Sequence, residues 1–155
     1  MVAIKYLIID HNIFITAKHI IRKNKEISEL LSQLFELLKM DFLFYTLKNK
    51  YQEDFAEVIP KEDTKFIEDY QEDFRDAILL LAQEFKKHEQ DIYDYFKNDD
   101  DKDNDLTLLA FAFYIKEKQI PFLLLHRENK IRDVCRNVGL NDCCLLHVID
   151  CFIKE

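Results

Sequence analysis

The sequence predicts an α/β protein, a three-layer sandwich in which helices flank a central, mainly parallel β-sheet. Two observations carry this prediction. Short apolar runs alternate with longer segments of helical periodicity along the 155 residues. The short runs are apolar throughout, which is typical of strands buried on both faces. A chain of this length is the size of one domain, and no linker or repeat divides it, so residues 1–155 are expected to form a single domain.

The first half of the chain begins with a strand. Residues 5–9 are short, β-branched and apolar, as in a buried strand. Apolar side chains then recur at three- and four-residue steps and predict a helix that runs to about residue 39. Residues 41–46 predict a second strand, and residues 48–59 a helix or turn beyond it.

Two helices are predicted in the middle of the chain. An apolar stripe from residue 66 to residue 85, with acids on the opposite side, predicts one long amphipathic helix. Residues 97–105 contain no apolar side chain and are expected to form a loop. Residues 106–115 are almost uniformly apolar, which predicts a helix buried on most sides.

The last quarter predicts a strand, a helix and a further strand. Residues 121–126 form the third buried strand. Residues 128–138 form a helix that ends at Gly139, the only glycine in the chain. A final strand is expected near residues 143–147.

Composition and charge exclude several classes of function. A net charge of −8 opposes broad binding to nucleic acid, although basic residues within 18–25 and 48–50 could guide a substrate. One glycine cannot build a GxGxxG motif or a Walker loop, so dinucleotide-binding and P-loop NTPase functions are excluded. No apolar run approaches the roughly 20 residues of a bilayer span and no secretory signal is visible, so we expect a cytoplasmic protein without a membrane partner.

The cysteines cluster late in the chain. Their pattern lacks the two short Cys/His pairs of familiar structural zinc sites, and buried thiols are the commoner state of such residues. A zinc site with His147 as a further donor remains an alternative, while a disulfide is disfavoured without a secretory signal. The four are Cys135, Cys143, Cys144 and Cys151.

Three acids lie where a parallel sheet binds ligands, outside the carboxyl ends of its strands. Asp10 follows the first strand, Glu128 follows the third, and Asp105 begins the buried helix that leads to the third strand. Gathered carboxylates repel unless a cation or a shared proton compensates. Oxygen ligands favour Mg²⁺ or Mn²⁺, which can activate water and stabilise attack on phosphorus. Taken singly, Asp10 and Asp105 could also be helix caps or turn residues.

Two segments resemble the PIN-domain nucleases. "YLIIDHNIF", residues 6–14, resembles that family's opening strand, which ends in Asp-x-Asn. "DLTLLAFAFYIKEKQIPFLLLHRENKIRDVCRNVGL", residues 105–140, resembles its closing half, where an aspartate starts a helix and a strand delivers a last acid. The resemblance implies a metal-dependent endoribonuclease with a central parallel sheet, as in toxin nucleases and in RNA-processing and decay factors.

The resemblance implies a site residue at each matching position of this chain. Asp10 would be the first metal ligand, with Asn12 beside it ordering the site, and Asp105 would be the third acid. The second acid lies on the helix after the second strand, where Glu53 is the best match, ahead of the nearby Asp54. Glu57 is a further candidate.

This chain departs from the family at the fourth acidic position. It has "HRE", ending in Glu128, where the family has Thr or Ser, a variable residue and Asp. The extra methylene displaces the carboxylate by more than an ångström, and misplacement on that scale can cost about a hundredfold in rate. His126 and His11 place two imidazoles near the expected cleft, where they could bind phosphate or assist proton transfer. Hydrogen-bonded structure is the alternative role for both.

The resemblance therefore implies a Mg²⁺- or Mn²⁺-dependent endoribonuclease with an RNA substrate, and an antitoxin or an RNA-processing factor as partner. A homodimer is a further expectation, supported by the apolar stripe at residues 66–85. One alternative is a catalytically impaired PIN-like module that binds RNA or protein, which the departure at Glu128 favours. A distant alternative is a receiver-like Mg²⁺-binding domain, although neither "DHN" nor "LHRE" supplies the acids which that class needs.

Overall fold

A computed structural model of the protein describes residues 5–23, 25–51, 56 and 59–144, without the side chains of residues 20, 21, 27 and 28. Within these residues the chain forms five strands and six α-helices. In chain order they are β1 (Lys5–Ile9), α1 (His11–Lys23), α2 (Lys25–Asp41), β2 (Phe42–Thr46), β3 (Thr64–Phe66), α3 (Ala77–Glu84), α4 (Ile92–Phe96), α5 (Lys102–Glu117), β4 (Phe122–His126), α6 (Asn129–Val138) and β5 (Asp142–Cys144).

The five strands form one parallel sheet in the order β3-β2-β1-β4-β5. β1 is central, with Leu7 opposite Phe44 of β2 on one side and opposite Leu123 of β4 on the other. The order of the strands reverses between β1 and β4, which is where open α/β sheets bind their ligands. This order differs from the 2-1-3-4-5 order of flavodoxin-like sheets, the class of receiver domains. The topology therefore does not support the receiver-like alternative.

Helices cover both faces of the sheet, so the predicted three-layer α/β fold is confirmed. On one face, strand residues such as Ile8, Tyr45 and Leu124 pack against α3, α4, α5 and α6. On the other face, residues such as Leu7 and Phe44 pack against α1 and α2. Successive side chains of a strand point to opposite faces, so a strand covered on both sides must be apolar throughout. This explains why the strands could be recognised as continuous apolar runs.

Helix α6 ends as the sequence predicts. Gly139 has φ 76° and ψ 39°, in the left-handed region that glycine adopts without a steric penalty. The N–H groups of Gly139 and Leu140 both donate to the Cys135 carbonyl, which lies in the last turn of the helix. The glycine thus terminates α6 and turns the chain into β5.

The single long helix predicted over residues 66–85 is wrong. Phe66 ends strand β3, in which Thr64 lies opposite Phe44 of β2, and a short 3-10 helix and turns follow before α3. Pairing with the sheet edge outweighs the helical periodicity here. The burial implied by the stripe is nevertheless correct, since Phe66, Phe74, Ala77, Leu81 and Phe85 are all buried in the chain's own core. The stripe is therefore not an exposed surface for a homodimer, and the homodimer stays a prediction without that support.

Two further differences concern helix boundaries and helices that were missed. The predicted loop at 97–105 is too long, because α5 begins at Lys102 and carries Asp103 and Asp105 in its first turn, where acids complement the helix dipole. Helices α1 and α4 were not predicted.

Two predicted segments lie partly outside the described residues. In the 48–59 segment, Lys48–Lys50 forms a 3-10 helix, in agreement with the predicted helix or turn, and the structure does not describe residues 52–55, 57 and 58. Residues 145–147 of the expected last strand also lie outside the described residues.

Of the helices in the described part of the chain, none combines the length and the apolar character that crossing a bilayer requires. The cytoplasmic location stays a prediction.

Candidate metal site

Asp10 is held at the switch point of the sheet by its backbone. Its N–H donates to the Leu125 carbonyl of β4 at 3.0 Å, and its carbonyl accepts from the Ile13 N–H in the first turn of α1 at 3.0 Å. The side chain is only 1% exposed. The carboxylate therefore lies between the ends of β1 and β4, under the start of α1.

Asp105 and Glu128 approach the same point from two other helix starts. Asp105 lies in the first turn of α5, where its N–H donates to the Asp101 carbonyl at 2.9 Å, and it is 3% exposed. Glu128 is the N-cap residue of α6, with extended φ and ψ of −121° and 133°. Its side chain makes no capping hydrogen bond, so its carboxylate is available to the other two acids.

The three carboxylates converge. One oxygen from each of Asp10, Asp105 and Glu128 lies within 4.8 Å of the other two. Two oxygens, Oδ1 of Asp10 and Oδ1 of Asp105, are buried without a hydrogen-bond partner in the described residues. Such an atom costs about 1–3 kcal/mol unless something satisfies it. Ligands of an octahedral Mg²⁺ lie roughly 3–4 Å apart, so a small closure of these side chains would fit them to a cation of that class.

The electrostatics of this cluster also favour a cation. Burial, then the charge of Glu128, then that of Asp10, raises the pKa of Asp105 from 3.8 to about 9. Burial and the charge of Asp10 likewise raise the pKa of Glu128. The three groups therefore cannot all be ionised near neutral pH without a compensating positive charge. Like-charge carboxylates that share a buried space are a frequent feature of functional sites.

Asn12 connects two of the three acids. Its Nδ2 donates to Glu128 Oε1 and lies 3.5 Å from Asp10 Oδ2. Its own carbonyl accepts from Thr16 Oγ1 at 2.9 Å, and the same hydroxyl accepts a hydrogen bond from Arg127 Nη1. Asn12 is thus fixed within α1 and contacts the carboxylate of Glu128. The ordering role that the family resemblance implies stays a prediction.

His11 lies on the other side of Asp10. Its Nδ1 is 3.0 Å from Asp10 Oδ1 but lacks hydrogen-bond geometry, and its Nε2 is 3.4 Å from Asp101 Oδ2. Burial opposes protonation of His11, but the adjacent Asp10 and then Asp101 outweigh it, so the pKa of His11 is raised above 6.5. Lys50 also pairs with Asp101, at 3.2 Å, which places one residue of the 48–50 basic cluster beside the site.

His126 is fully buried, and both of its ring nitrogens are engaged. Nδ1 accepts from the backbone N–H of Glu128 at 3.1 Å, and Nε2 lies 2.7 Å from Asp142 Oδ2. Burial lowers the pKa of His126 despite the neighbouring Asp142. This arrangement supports the alternative of hydrogen-bonded structure over direct contact with a phosphate.

His126, Cys135 and Asp142 form a second group whose ligand atoms lie within 4.8 Å of one another. Burial raises the pKa of the Cys135 thiol, which opposes the thiolate that a metal needs. The hydrogen bond between His126 and Asp142 already satisfies both groups, so nothing in this group calls for a cation. Cys143 and Cys144 are half-buried free thiols, and His147 and Cys151 lie outside the described residues.

Two of the three acids, Asp105 and Glu128, line a cleft of about 560 Å³ between the loop before α5 and the start of α6. Arg127 and Lys130 line the same cleft. Lys130 Nζ donates to the Tyr95 carbonyl at 3.0 Å and pairs with Asp99 Oδ1 at 3.1 Å, so this cation is held at the rim. The cleft thus has two cations beside its acids, although Asp99, Asp100 and Asp101 line it as well.

The structure brings together most of the residues that the sequence singled out. Asp10, Asp105 and Glu128 meet, and Asn12 and His11 contact Asp10. Glu53 lies outside the described residues, so the structure does not place it, and the same holds for Asp54 and Glu57.

Sequence reasoning missed the residues that support these acids. They are Thr16, Asp101 and Asp142. Asp101 lies in a run of acids whose composition is typical of a solvated loop. Asp142 reaches His126 only because β4 and β5 pair. The sequence around each residue therefore gave no indication that it belongs to the site.

No protein-family model, curated protein or solved structure matches the chain. The fold and the site define an α/β protein with a cluster of three carboxylates, two buried and one half-buried, at the switch point of a parallel sheet. Membership of the PIN-domain family stays a prediction from the resemblance of residues 6–14 and 105–140.

Proposed function

We propose that the protein is a metal-dependent endoribonuclease, in which Asp10, Asp105 and Glu128 hold Mg²⁺ or Mn²⁺ and RNA phosphodiesters are hydrolysed. The observation that carries the proposal is the convergence of three carboxylates that include two buried oxygens without a hydrogen bond, Asp10 Oδ1 and Asp105 Oδ1. The first of these has only the His11 ring beside it, at 3.0 Å. A buried cluster of this kind is costly for a protein that does not use it. An all-oxygen donor set is the one that Mg²⁺ and Mn²⁺ prefer.

The residues around the cluster have different roles in the proposed reaction. A bound divalent ion would lower the pKa of a water and stabilise charge on a phosphate oxygen. Asn12 orients the Glu128 carboxylate through its amide. Arg127 and Lys130 line the cleft beside the acids, where they can attract the phosphate of a substrate.

RNA as the substrate rests on the resemblance to the PIN-domain nucleases, and so do the proposed partners, an antitoxin or an RNA-processing factor. The cluster itself supports the wider class of phosphodiester hydrolysis. A parallel reaction with single-stranded DNA of the same base order as the RNA tests the substrate class, because cleavage of both would widen that class without changing the site.

One observation favours the second candidate, a catalytically impaired module that binds RNA or protein. The Asn12 amide already donates to Glu128 and lies near Asp10, so a neutral N–H group compensates part of the negative charge that a cation would otherwise balance. In that case the cluster would be stable as a hydrogen-bonded network and would need no metal.

Cleavage of a mixed pool of single-stranded and structured RNA tests the proposal. Wild type is assayed with Mn²⁺, with Mg²⁺ and with EDTA, beside Asp10→Asn and Asp105→Asn. We expect cleavage by wild type that requires the metal and a fall of at least about a hundredfold in each variant, because each substitution removes a charged ligand. The matched control is Asp63→Asn, an acid that pairs with Lys39 at 3.2 Å, which should cleave as wild type does.

The two candidates predict different results. Two results would contradict the nuclease proposal. Wild type would fail to cut RNA in both Mn²⁺ and Mg²⁺, or both Asn variants would cut RNA as well as wild type does. RNA retention in a gel-shift assay without cleavage, unchanged by EDTA, would instead support the binding module.

A further inference from the structure

Glu128 is the acid with the longest side chain in the cluster, and it therefore has the most rotational freedom to lose on binding a cation. Its position depends on how firmly its backbone is held. The carbonyl of Glu128 accepts from the Arg132 N–H of α6 at 3.1 Å. The N–H of Glu128 cannot bond within α6, because it belongs to the N-cap residue, and it donates instead to Nδ1 of His126.

This hydrogen bond decides which nitrogen of His126 carries the proton. Nδ1 can accept from the Glu128 N–H only if Nδ1 itself is unprotonated, so the proton of the neutral ring is on Nε2. Nε2 lies 2.7 Å from Asp142 Oδ2 and donates to it. Asp142 therefore fixes the tautomer of His126 and, through it, the acceptor for the Glu128 backbone.

We call the hydrogen-bonded chain from Asp142 through His126 to the Glu128 backbone the relay. The relay also connects the site to the edge of the sheet. Asp142 is the first residue of β5 and lies opposite Leu124 of β4, while His126 is the last residue of β4. The carboxylate of Asp142 is mostly shielded from solvent, with 14% of its side chain exposed, and His126 is 0% exposed. The pair is thus a rigid, water-poor connection from the edge strand to the residue that supplies an acid to the cluster.

We propose that His126 and Asp142 are positioning residues, which hold the Glu128 backbone so that its carboxylate meets Asp10 and Asp105. This inference rests on the proposed metal site. His126 fixes the backbone end of Glu128, and Asn12 fixes the carboxylate end. The pair supplies a specific reason why a histidine stands two residues before the acid, where the PIN-domain pattern has a small hydroxyl residue.

A measurement of Mn²⁺ affinity distinguishes a positioning role of His126 and Asp142 from ordinary stabilisation of the fold. The full chain is titrated with Mn²⁺, followed by electron paramagnetic resonance of the free ion, for wild type, His126→Phe, His126→Asn and Asp142→Ala. Phe fills the space of the ring without its nitrogens, so we expect Mn²⁺ affinity to fall about 10- to 100-fold, as losses of groups behind a metal ligand typically do. Asn offers an oxygen at the place of Nδ1 and should keep most of the affinity.

Asp142→Ala should weaken Mn²⁺ binding less than His126→Phe does, because the ring remains but its tautomer is no longer fixed. The matched control is Thr64→Val, which removes a 3.0 Å hydrogen bond from the opposite edge of the sheet. It should lower the melting temperature and leave Mn²⁺ affinity unchanged. A merely structural His126 would behave like Thr64.

The outcomes separate the two proposals. Wild type that binds no Mn²⁺ would overturn the proposed metal site and the positioning role together. Wild type that binds Mn²⁺ while His126→Phe binds it equally well, or while His126→Asn is as weak as His126→Phe, would overturn only the positioning role. If His126→Phe does not fold, ¹⁵N NMR of the wild-type histidines carries the test, because a proton on Nδ1 of His126 at neutral pH would contradict the relay.

Discussion

Asp105 is the residue on which burial and neighbouring charge act most strongly. Its raised pKa of about 9 has a consequence for stability. Between its unfolded pKa of 3.8 and about 9, the folded chain keeps a proton that the unfolded chain has released. The folded state then binds more protons, so the contribution of Asp105 to the free energy of unfolding falls as pH rises through this window.

Thermal melts in EDTA test this sign. Asp105→Asn removes the titrating group and keeps the shape, so the variant should melt above wild type at pH near 8, by about 2–4 °C for each kcal/mol of repulsion removed. The advantage should shrink as the pH falls and level off below 3.8, where the wild-type carboxyl becomes protonated in the unfolded state as well. Mn²⁺ should raise the melting temperature of wild type and not of the variant. A difference between the two proteins that does not change with pH would contradict the raised pKa.

The acids of the cluster could be found from the sequence because each stands at or close to one end of an apolar segment. Asp10 and Glu128 follow strands, and Asp105 begins the buried stretch of α5. The role of His126 could not be found in this way. It depends on Asp142, which lies 16 residues away along the chain and reaches the ring only through the pairing of β4 with β5.

Helix α6 has a residue of the candidate site at its start and a left-handed cap at its end. Glu128 begins this helix and Gly139 ends it. A Cβ at Gly139 would meet only Lys116 Nζ at 3.4 Å, the end of a flexible side chain, so the positive φ of 76° is what demands glycine. The cap and the site are thus at opposite ends of one helix, which allows their effects to be separated.

Gly139→Ala should lower the free energy of unfolding by about 1–2 kcal/mol, the cost of a left-handed conformation for a residue with a Cβ. Urea denaturation measures this loss. Gly139→Asn, which tolerates that conformation better, should lose less. Mn²⁺ affinity should be unchanged in both variants, since the start of α6 remains held by His126 and Asn12. Equal losses for Ala and Asn would argue against the left-handed cap as the cause.

The elements also show where sequence periodicity fails. Residues 66–85 carry a helical stripe and are buried as the stripe requires, yet they form a strand, a 3-10 turn and only one short helix. Apolar spacing reports which side chains are buried, whereas the backbone conformation of Thr64–Phe66 is decided by hydrogen bonding to β2. In contrast, β1 and β4 were predictable because each is covered on both faces and is apolar along its length.

At the scale of the whole molecule, the strand order gathers the site. β1 and β4 are adjacent in the sheet although more than 100 residues separate them, and the order of strands reverses at this pair. The alternation of strands and helices predicted a parallel sheet, but it could not give the order of the strands, because pairing between distant segments is not encoded locally. The order is what brings Asp10 and Glu128 to the same cleft.

The central claim is that Asp10, Asp105 and Glu128 together hold a divalent cation. Crystals of the protein grown with Mn²⁺ and measured for anomalous scattering test it most directly. The account predicts one strong anomalous peak between the three carboxylates, at about 2.1–2.3 Å from an oxygen of each, the range for hard cations with oxygen ligands. No peak there at saturating Mn²⁺, or a peak only among His126, Cys135 and Asp142, would contradict the claim.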